Sequence, residues 1–308
     1  MKILITGGAG YVGTSLTRLL LSGGHQVRVM DNLMFGGDPL LPFFRNEHFE
    51  FVKGDVRNET DVAHAMNNQD AVVHLAAIVG YPACRKEPSL AEEVNITGTH
   101  NIARAASKNQ IVLFASTGSN YGAVEDICSE ETPLNPLSLY AQTKVRGEKI
   151  ISDNGNGIVF RFATGFGVSP RFRLDLLIND FVYKAVSQGY LVIYEKNFKR
   201  SFIHVHDMAR AFLFGIEHAD TMAGEVYNVG SESMNYTKEE ICNSIKSKID
   251  CYIHYADVGE DADKRNYQVS YKKINALGFE TTISVDNGID ELAKASRIVF
   301  VKTPYGNV

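Results

Sequence analysis

Two residues four positions apart, Tyr140 and Lys144, could carry out proton transfer. They lie in a segment with helical character, so their side chains project from the same face, one turn apart. A lysine ammonium beside a phenol lowers the pKa of the phenol from about 10 towards neutral pH. The phenolate could then accept the proton of an alcohol while a hydride leaves the adjacent carbon. The pair alone is weak support, because fourteen tyrosines give roughly one such match by chance.

Hydroxyl side chains follow a predicted strand upstream of this pair. The strand Ile111–Ala115 runs into the sequence STGSNYG, which places Thr117 and Ser119 at its carboxyl end. Ligands of doubly wound folds bind at that edge of the sheet. These hydroxyls could therefore face the same ligand as the Tyr-Lys pair, although ordinary strand-end hydroxyls remain an alternative.

A glycine-rich loop joins the first predicted strand to the first predicted helix. The segment GGAGYVG has the GxxGxxG spacing. Gly7 permits a tight turn, Gly10 lets backbone amides approach a pyrophosphate at the helix N-terminus, and Gly13 allows close helix–strand packing. We therefore expect a dinucleotide-binding loop whose contacts include Tyr11 and Val12.

An acidic residue follows this loop at the expected distance. Asp31 stands eighteen residues beyond Gly13, at the end of the second predicted strand, where a carboxylate can accept both ribose hydroxyl hydrogens of adenosine. It would repel a 2′-phosphate, and Asn32 and Leu33 follow it in place of basic residues. The sequence therefore favours NAD over NADP as cofactor. A simple Asp-Asn turn is the alternative interpretation.

Strand and helix patterns alternate through the first half of the chain. The predicted strands are Ile3–Ile5, Val27–Met30, Phe49–Val52, Ala71–Leu75, Ile111–Ala115 and Ile158–Phe162. The predicted helices are Tyr11–Ser22, Glu59–Met66, Ser89–Ala106 and Leu139–Ser152. This alternation predicts an α/β fold with a doubly wound parallel (Rossmann) sheet and right-handed crossovers.

The pattern becomes irregular after about residue 165. Helices are predicted at Leu174–Ser187, Asp207–His218 and Lys238–Lys246, with short strands at Leu191–Tyr194 and Ser201–His204. We expect residues 1–165 to form the dinucleotide-binding domain, with return segments from about 200–230. Residues 166–308 should mainly form a smaller C-terminal substrate-binding cap, and the absence of a linker indicates a shared interface.

Composition excludes several classes of partner. The 308 residues are 44% hydrophobic and 22% charged, as in ordinary globular enzymes, and a net charge of -5 gives no basic surface for nucleic acid. The four cysteines show neither CxxC nor other metal-ligand spacing, so we expect no metal and no disulfide framework. There is no apparent leader peptide and no apolar run long enough for a membrane helix. We therefore expect a cytoplasmic protein with no membrane partner.

Three histidines, His74, His204 and His206, could be taken for catalytic groups. Packing or hydrogen bonding is the more common function of such residues, and we expect it here.

Together these motifs resemble the NAD-dependent epimerase/dehydratase family of extended short-chain dehydrogenases. The resemblance covers nearly the whole chain and rests on TGGAGYVG, DN, GDV, HLAA, STGSNYG, YAQTK and RFATGFG. It implies an NAD-dependent oxidoreductase that acts at a secondary alcohol of a nucleotide-activated sugar. It also implies that Thr117 is the hydroxyl partner of Tyr140 and that Lys144 holds the nicotinamide ribose.

The resemblance implies further ligand contacts. Those expected for the cofactor, beyond the loop and Asp31-Asn32, are Asp55, Val56, Leu75, Ala76, Ala77, Asn95, Ala115, Phe162 and Thr164. Those expected for the substrate, beyond Thr117 and Ser119, are Tyr81, Arg85, Arg171, Arg173, Asn179, Arg200 and Arg265. A solvated or helix-capping position is an equal alternative for Arg171, Arg173 and Asn179, and a role without ligand contact is an equal alternative for Tyr81 and Arg85. Arg200 and Arg265 match positions that grip the diphosphate, which suits the bidentate geometry of arginine. The loop Val79–Arg85 should lie over the sugar.

The resemblance also narrows the reaction. Family members that eliminate water carry an Asp-Glu pair after the threonine, where this chain has Gly118 and Ser119, so dehydration is disfavoured. The segments SPRFRLDLLINDFVYKA and GEDADKRNYQVS resemble GDP-manno-heptose dehydrogenases of bacterial capsule assembly, which oxidise C4 of the sugar. A 4-epimerase that uses the same residues is the nearest alternative, and a non-catalytic NAD-sensing protein a more distant one.

The resemblance also implies a homodimer that pairs the helices Ser89–Ala106 and Leu139–Ser152.

Overall fold

The structure is a computed structural model that describes residues 1–256 and 266–299. Within these ranges the helices are α1 (Tyr11–Ser22), α2 (Glu59–Met66), α3 (Tyr81–Lys86), α4 (Pro88–Glu92), α5 (Gly98–Ala105), α6 (Leu139–Ser152), α7 (Leu177–Gln188), α8 (Val205–Glu217), α9 (Ala219–Met222), α10 (Lys238–Lys248), α11 (Lys272–Asn275) and α12 (Val285–Ser296). The strands are β1 (Lys2–Thr6), β2 (Gln26–Asp31), β3 (Phe49–Lys53), β4 (Ala71–His74), β5 (Ile111–Thr117), β6 (Ala123–Cys128), β7 (Gly157–Phe162), β8 (Thr164–Phe166), β9 (Tyr190–Tyr194), β10 (Lys199–His204), β11 (Val226–Val229), β12 (Asn235–Thr237), β13 (Tyr252–Ala256) and β14 (Asn266–Val269).

A seven-stranded sheet forms the centre of the molecule, in the order β3-β2-β1-β4-β5-β7-β11. Every neighbouring pair in it is parallel, with Ile3 opposite Val27 on one side and Ala71 on the other. The predicted α/β fold with a doubly wound parallel sheet is therefore confirmed. All six strands predicted in the first half are present, and β11 is added at the edge.

The apolar sequence of β1 explains its central position. Ile3, Leu4 and Ile5 are completely buried, because both faces of the sheet are covered. Side chains alternate between faces along a strand, so Ile3 and Ile5 enter one apolar cluster with Leu16 of α1 while Leu4 enters the other with Val62 of α2.

The long helix predicted at Ser89–Ala106 is interrupted. It begins at Pro88 and contains a π-helical turn, Glu93–Thr97, before it continues as α5. The side chain of Asn95 in this turn accepts a hydrogen bond from Ile78 N at 2.7 Å and donates to Ile78 O at 3.0 Å. A π turn inserts one residue into the helix and is often found at functional sites.

The second half adds a smaller layer, which we call the cap. It contains the sheets β8-β10-β12 and β9-β13 and the helices α7, α10 and α12, around an apolar cluster that includes Phe166, Ile241 and Leu292. Helix α8 packs against α1 and β11 joins the central sheet, so both of these elements return to the first layer.

Helices α3 and α12 are among the elements that the sequence prediction did not include. Most of the expected loop Val79–Arg85 is helical, because α3 begins at Tyr81. Gly80 precedes this helix with a φ of 96°, and Pro82 fits its first turn, which proline favours. Helix α12 was not predicted, although Ser284 caps it by accepting a hydrogen bond from Asn287 N at 3.2 Å.

In residues 1–256 and 266–299 no helix has the length and apolar character to cross a membrane.

Candidate active site

A cavity of about 730 Å³ lies where the carboxyl ends of the central strands face the cap. The predicted cofactor contacts that line it are Gly7, Gly10, Tyr11, Val12, Gly13, Asp31, Asn32, Asp55, Val56, Leu75, Ala76, Ala77, Ala115, Tyr140, Lys144, Phe162 and Thr164. The predicted substrate contacts that line it are Thr117, Ser119, Tyr81, Arg171, Arg173 and Arg200. The fold therefore brings most of the predicted residues into one cavity.

The glycine-rich loop forms the floor of this cavity. Gly7 has a φ of 70°, and a Cβ there would lie 2.7 Å from Ala76 N. A Cβ on Gly13 would lie 2.6 Å from Gly8 Cα, so the loop and helix α1 require glycine for their close approach. Helix α1 begins at Tyr11 after Gly10, which has no side chain to cap the first amides. Those amides are therefore positioned to bind an anionic group in the cavity.

Asp31 lies at the end of β2, on the cavity wall. Its carboxylate accepts hydrogen bonds from Ala9 N at 3.0 Å and Leu33 N at 2.8 Å. Burial raises the pKa of Asp31 above its ordinary value, and these two backbone hydrogen bonds oppose that rise. The carboxylate thus connects the glycine-rich loop to the segment after β2.

A second carboxylate, Asp55, lies beside Asn32. Asn32 Nδ2 donates to Asp55 Oδ2 at 3.2 Å, and the Arg57 guanidinium donates to the same carboxylate at 2.8 Å. The hydrogen bonds from Arg57 lower the pKa of Asp55 to about 2. Asp55 is therefore ionised at neutral pH.

Helix α6 brings Tyr140 and Lys144 into the cavity. Lys144 is 3% exposed, and its Nζ lies 4.6 Å from the centre of the Phe114 ring. Burial lowers the pKa of Lys144 to about 8. Thr117, at the end of β5, donates a hydrogen bond to Ser119 Oγ at 3.0 Å and accepts one from Ser119 N at 3.1 Å. The phenol, the ammonium and the strand-end hydroxyls thus share one region of the wall.

His74 lies beneath this region and has a structural function. Its Nδ1 is 2.8 Å from Thr6 Oγ1 and its Nε2 is 3.0 Å from Thr99 Oγ1. Burial, with a smaller contribution from the charge of Lys144, lowers the pKa of His74 to about 3, so the ring is neutral at working pH. His204 is likewise buried and lies 2.7 Å from Glu291 Oε2 in the cap.

The cap wall is rich in cations. Beside Arg171, Arg173 and Arg200, it includes Lys184 and Lys238. These two lysines were missed because they occupy helices whose charge pattern is that of any solvated face. Their position on the cavity wall depends on the packing of α7 and α10.

Several of these cations have carboxylate or backbone partners. Arg173 pairs with Asp175, and Lys184 Nζ lies 2.7 Å from Asp180 Oδ2. Lys238 Nζ donates to Tyr194 O at 2.9 Å. The wall thus combines fixed cations with two carboxylates that the sequence did not single out.

Three predicted contact residues lie outside the lining of the cavity. Asn95 holds the backbone of Ile78, as described above. Asn179 is completely buried and bonds to Gly167 N at 3.0 Å and Arg173 O at 2.8 Å, so it supports the arginine segment without facing the ligand. Arg85 donates to Tyr81 OH at 3.1 Å from an exposed position.

Arg265, the remaining predicted contact, lies outside the described residues. Among the described residues no cluster of three or more histidine, cysteine or acidic side chains could hold a metal ion.

The cavity fits a dinucleotide cofactor on structural grounds. At Gly7 and Gly13 the backbone lies too close to its neighbours for a Cβ, and the start of α1, which no side chain caps, faces the cavity. Asp31 and Asp55 follow at the ends of the next two strands, where the adenosine portion would lie. Lys144 and Tyr140 lie at the opposite end, beside β5.

The chain is similar over most of its length to several known proteins. A dTDP-glucose 4,6-dehydratase from Actinoplanes sp. is 30% identical over 318 residues, covering 94% of this chain and 96% of the relative. A UDP-glucose 4-epimerase from Halalkalibacterium halodurans is 30% identical over 276 residues, covering 80% of each. The solved structure of the dTDP-glucose 4,6-dehydratase DesIV from Streptomyces venezuelae with NAD bound has a TM-score of 0.84 and 26% identity, with 96% of both chains covered.

The family itself is established by a sequence profile. The profile of the NAD dependent epimerase/dehydratase family matches residues 3–230, from β1 to the residue after β11. That range contains the glycine-rich loop, Asp31, Thr117, Tyr140 and Lys144. The chain is therefore an enzyme of the NAD dependent epimerase/dehydratase family, with NAD as its cofactor.

Proposed function

We propose that this enzyme oxidises C4 of a nucleotide-activated sugar. The observation that carries the proposal is the placement of Tyr140, Lys144 and Thr117 in one cavity with the glycine-rich loop on one side and a cationic cap wall on the other. The relatives named above act on dTDP-glucose and UDP-glucose, which supports a nucleotide sugar as the substrate class.

The residues of this chain would handle the proton of the reaction. When bound, NAD supplies the hydride acceptor. The ammonium of Lys144 favours the ionised form of the Tyr140 phenol, which accepts the proton of the sugar hydroxyl. Thr117 would orient that hydroxyl by a hydrogen bond.

The cap wall accounts for recognition of the diphosphate. Arg171, Arg173 and Arg200 are each less than a tenth exposed, and all three line the cavity. Guanidinium groups in a desolvated wall bind phosphate oxygens more strongly than exposed ones, and their planar fork suits bidentate contacts. Arg265 remains a further proposed contact.

The composition of the wall argues against elimination of water. In the described part of the lining, the carboxylates are Asp31 and Asp55 on the cofactor side and Asp175 and Asp180 on the cap. The turn after Thr117 contributes Ser119, a neutral group. A 4,6-dehydratase needs acid–base groups next to C5 and C6 of the sugar, so we propose oxidation without dehydration even though dehydratases are among the relatives.

We propose release of the 4-keto sugar as the outcome, with a GDP-sugar such as GDP-manno-heptose as substrate. The support is the resemblance of SPRFRLDLLINDFVYKA to dehydrogenases of that class. A 4-epimerase is the second candidate, because the same proton-transfer residues serve it and one of the relatives carries that activity. The two differ in whether the hydride leaves with the cofactor or returns to the opposite face of C4.

A product assay distinguishes these outcomes. The purified protein is incubated with NAD and with GDP-, UDP-, dTDP- or CDP-sugars, while NADH absorbance and product mass are followed. We expect NADH to accumulate and the sugar to lose two hydrogens. Unchanged mass with an altered sugar NMR spectrum would make the enzyme an epimerase, and loss of water would refute the proposed reaction.

A further inference from the structure

A buried ion pair behind the cavity joins helix α6 to the central sheet. Glu148 lies on α6, one turn beyond Lys144, and Arg161 lies on β7; their side chains are 6% and 7% exposed. Arg161 Nη2 lies 2.8 Å from Glu148 Oε2, and Arg161 Nε lies 3.0 and 3.1 Å from the two carboxylate oxygens. Neither residue lines the cavity in the described part of the wall.

The same carboxylate is also held from the end of β5. Ser116 Oγ donates to Glu148 Oε1 at 2.5 Å, and Asn120 Nδ2 donates to that oxygen at 2.7 Å. Ser116 directly precedes Thr117, and Asn120 belongs to the turn that carries Ser119. The carboxylate of Glu148 therefore connects α6 to the strand end that supplies the active-site hydroxyls.

The arginine extends this network to the edge of the sheet. Arg161 Nη1 donates to Tyr121 OH at 3.1 Å, and Tyr121 OH donates to Asn228 Oδ1 of β11 at 2.7 Å. Tyr121 and Asn228 are completely buried. The partner of Glu148 is thus itself fixed, so the ion pair cannot shift without disturbing three strands.

The spacing along α6 links this network to the proposed chemistry. Tyr140, Lys144 and Glu148 follow each other at intervals of four residues, so they lie on one face of the helix. The desolvation of a buried ion pair often costs as much free energy as its attraction gains, so a contribution to stability is a weak explanation for this pair. A rotation or slide of α6 would break the bonds to Ser116, Asn120 and Arg161 together.

We infer that Glu148 is a positioning residue, which fixes α6 against β5 and β7 so that Tyr140 and Lys144 face Thr117. It acts through these residues and does not touch the ligand. The inference deepens the proposed function and rests on it in taking Tyr140 and Lys144 as the reacting pair.

The electrostatic surroundings of Lys144 support this inference. Apart from the Tyr140 phenol, the described titratable groups that act on it or sense its charge are Cys84 on α3, Glu148 on the same helix and His74 on β4. Burial raises the pKa of the Cys84 thiol to about 11 and lowers that of His74 to about 3, so both are neutral at pH 7. Glu148 therefore supplies the negative charge of this set, which favours the ammonium form of Lys144.

The test combines turnover with a titration that needs no substrate. In Glu148→Gln we expect kcat with the reacting nucleotide sugar to fall at least about tenfold while KM changes less than about threefold. In lysine-selective ¹³C NMR, with the Lys144 signal assigned from Lys144→Met, we expect Lys144 to titrate about one pH unit lower than in the wild type. Glu225→Gln, which alters an exposed ion pair with Lys273, is the matched control and should change neither quantity.

A double variant separates positioning from packing. Glu148→Gln leaves the buried guanidinium of Arg161 without its carboxylate, which destabilises the folded protein. E148Q/R161M removes both charges and keeps an amide oxygen for Ser116 and Asn120. We expect the double variant to melt near the wild-type temperature and still show the reduced kcat and the lower Lys144 titration. Wild-type kcat in a folded double variant, or an unshifted Lys144 titration, would overturn the inference. If the wild type turns over no nucleotide sugar, the proposed function is refuted. The Lys144 titration needs no substrate and would still show whether Glu148 acts on Lys144.

Discussion

Lys144 carries a charge in a place where charge is costly. It is buried beside Phe114 and His74, and burial lowers its pKa to about 8, close to the pH at which an enzyme works. A group with such a pKa responds to small changes in its surroundings. This property suits a residue that must keep a neighbouring phenol ionised.

Replacing Tyr140 by Phe tests the proton acceptor directly. The variant keeps the ring and loses the hydroxyl, so we expect turnover to fall by about 10³-fold while NAD binding stays nearly unchanged. Steady-state assays and titration with NAD measure the two effects. Turnover close to the wild type would eliminate Tyr140 as the base.

Replacing Lys144 by Met should separate stability from activity. The pKa of Lys144 is about 8 in the folded protein and 10.5 in the unfolded chain, so between these values the unfolded state binds more protons and wild-type stability rises with pH. At pH 7 the buried ammonium is destabilising, and Lys144→Met should raise the free energy of unfolding by about 1 kcal/mol while it abolishes turnover.

Urea unfolding from pH 7 to pH 10 checks this prediction. The rise of stability with pH should be present in the wild type and absent from Lys144→Met. A variant that is less stable than the wild type at pH 7 would show that the ammonium makes compensating contacts.

The choice of cofactor depends on Asp31. Its carboxylate lies on the cavity wall and repels an additional phosphate, so we expect the wild type to use NAD at least about 100-fold better than NADP. Asp31→Asn removes the charge and keeps an acceptor oxygen for only one of the two bonded amides, Ala9 N and Leu33 N, and should reduce that preference about tenfold. The kcat/KM values of the wild type and the variant are measured with NAD and with NADP. The same ratio of the two values in both proteins would contradict this function of Asp31.

At the scale of elements, the segment after β2 makes contact across the cavity. The Arg171 guanidinium lies 5.0 Å from the centre of the Phe35 ring, and both residues line the wall. Leu33 N bonds to Asp31, and Gly36 N bonds to Leu33 O at 3.0 Å, so the segment is folded firmly on the strand end. Phe35 thus joins the cofactor side of the cavity to the cap.

Truncation of Phe35 should therefore speed the loss of cofactor. A cation–π contact is worth about 1 kcal/mol, so we expect Phe35→Ala to release NAD roughly fivefold faster in stopped-flow displacement. Phe44→Ala is the matched control, because Phe44 is 58% exposed and packs against Phe49 away from the cavity. Equal release rates in Phe35→Ala and the wild type would refute this function of the contact.

The sequence predicted elements well where one local pattern determined them. The predicted strands of the central sheet consist mainly of apolar residues, and Glu59–Met66 and Leu139–Ser152 were predicted with the bounds that the structure shows. The π turn at Glu93–Thr97 was not predictable, because it depends on hydrogen bonds from Asn95 to a distant loop. The short helix α3 was missed since six residues give too little periodicity.

Site residues that belong to a sequence motif could be predicted, whereas site residues that reach the cavity only through tertiary packing could not. The glycine-rich loop, Asp31 and the Tyr140-Lys144 pair lie on the cavity wall, as their spacing indicated. Lys184 and Lys238 reach the wall through the folding of the cap, which no local pattern reveals.

At the scale of the whole molecule, hydrogen bonds join the cofactor loop to the cap. Tyr11 OH donates to Gly167 O at 2.8 Å, and Thr14 Oγ1 lies 2.9 Å from Ser169 Oγ. Asn179 holds the same segment from the other side. The two layers therefore meet through fixed contacts at the start of α1, next to the proposed cofactor site.

Oligomeric state is a prediction at the same scale. The resemblance to extended short-chain dehydrogenases implies a homodimer in which the α4–α5 region and α6 form a four-helix bundle across a two-fold axis. Light scattering at micromolar concentration should give twice the chain mass of 34.1 kDa. A monomer under these conditions would contradict the prediction.

The most direct test of the proposed chemistry follows the hydrogen on C4. A nucleotide sugar that reacts is prepared with deuterium at C4 and incubated with the enzyme and NAD, and both products are analysed by mass spectrometry and NMR. We predict that deuterium leaves C4 for the reduced cofactor, or returns to C4 with inverted configuration in an epimerase, while the sugar keeps all its oxygen atoms. Deuterium that stays on C4 with its original configuration, or a product that has lost water, would contradict oxidation at C4 without dehydration.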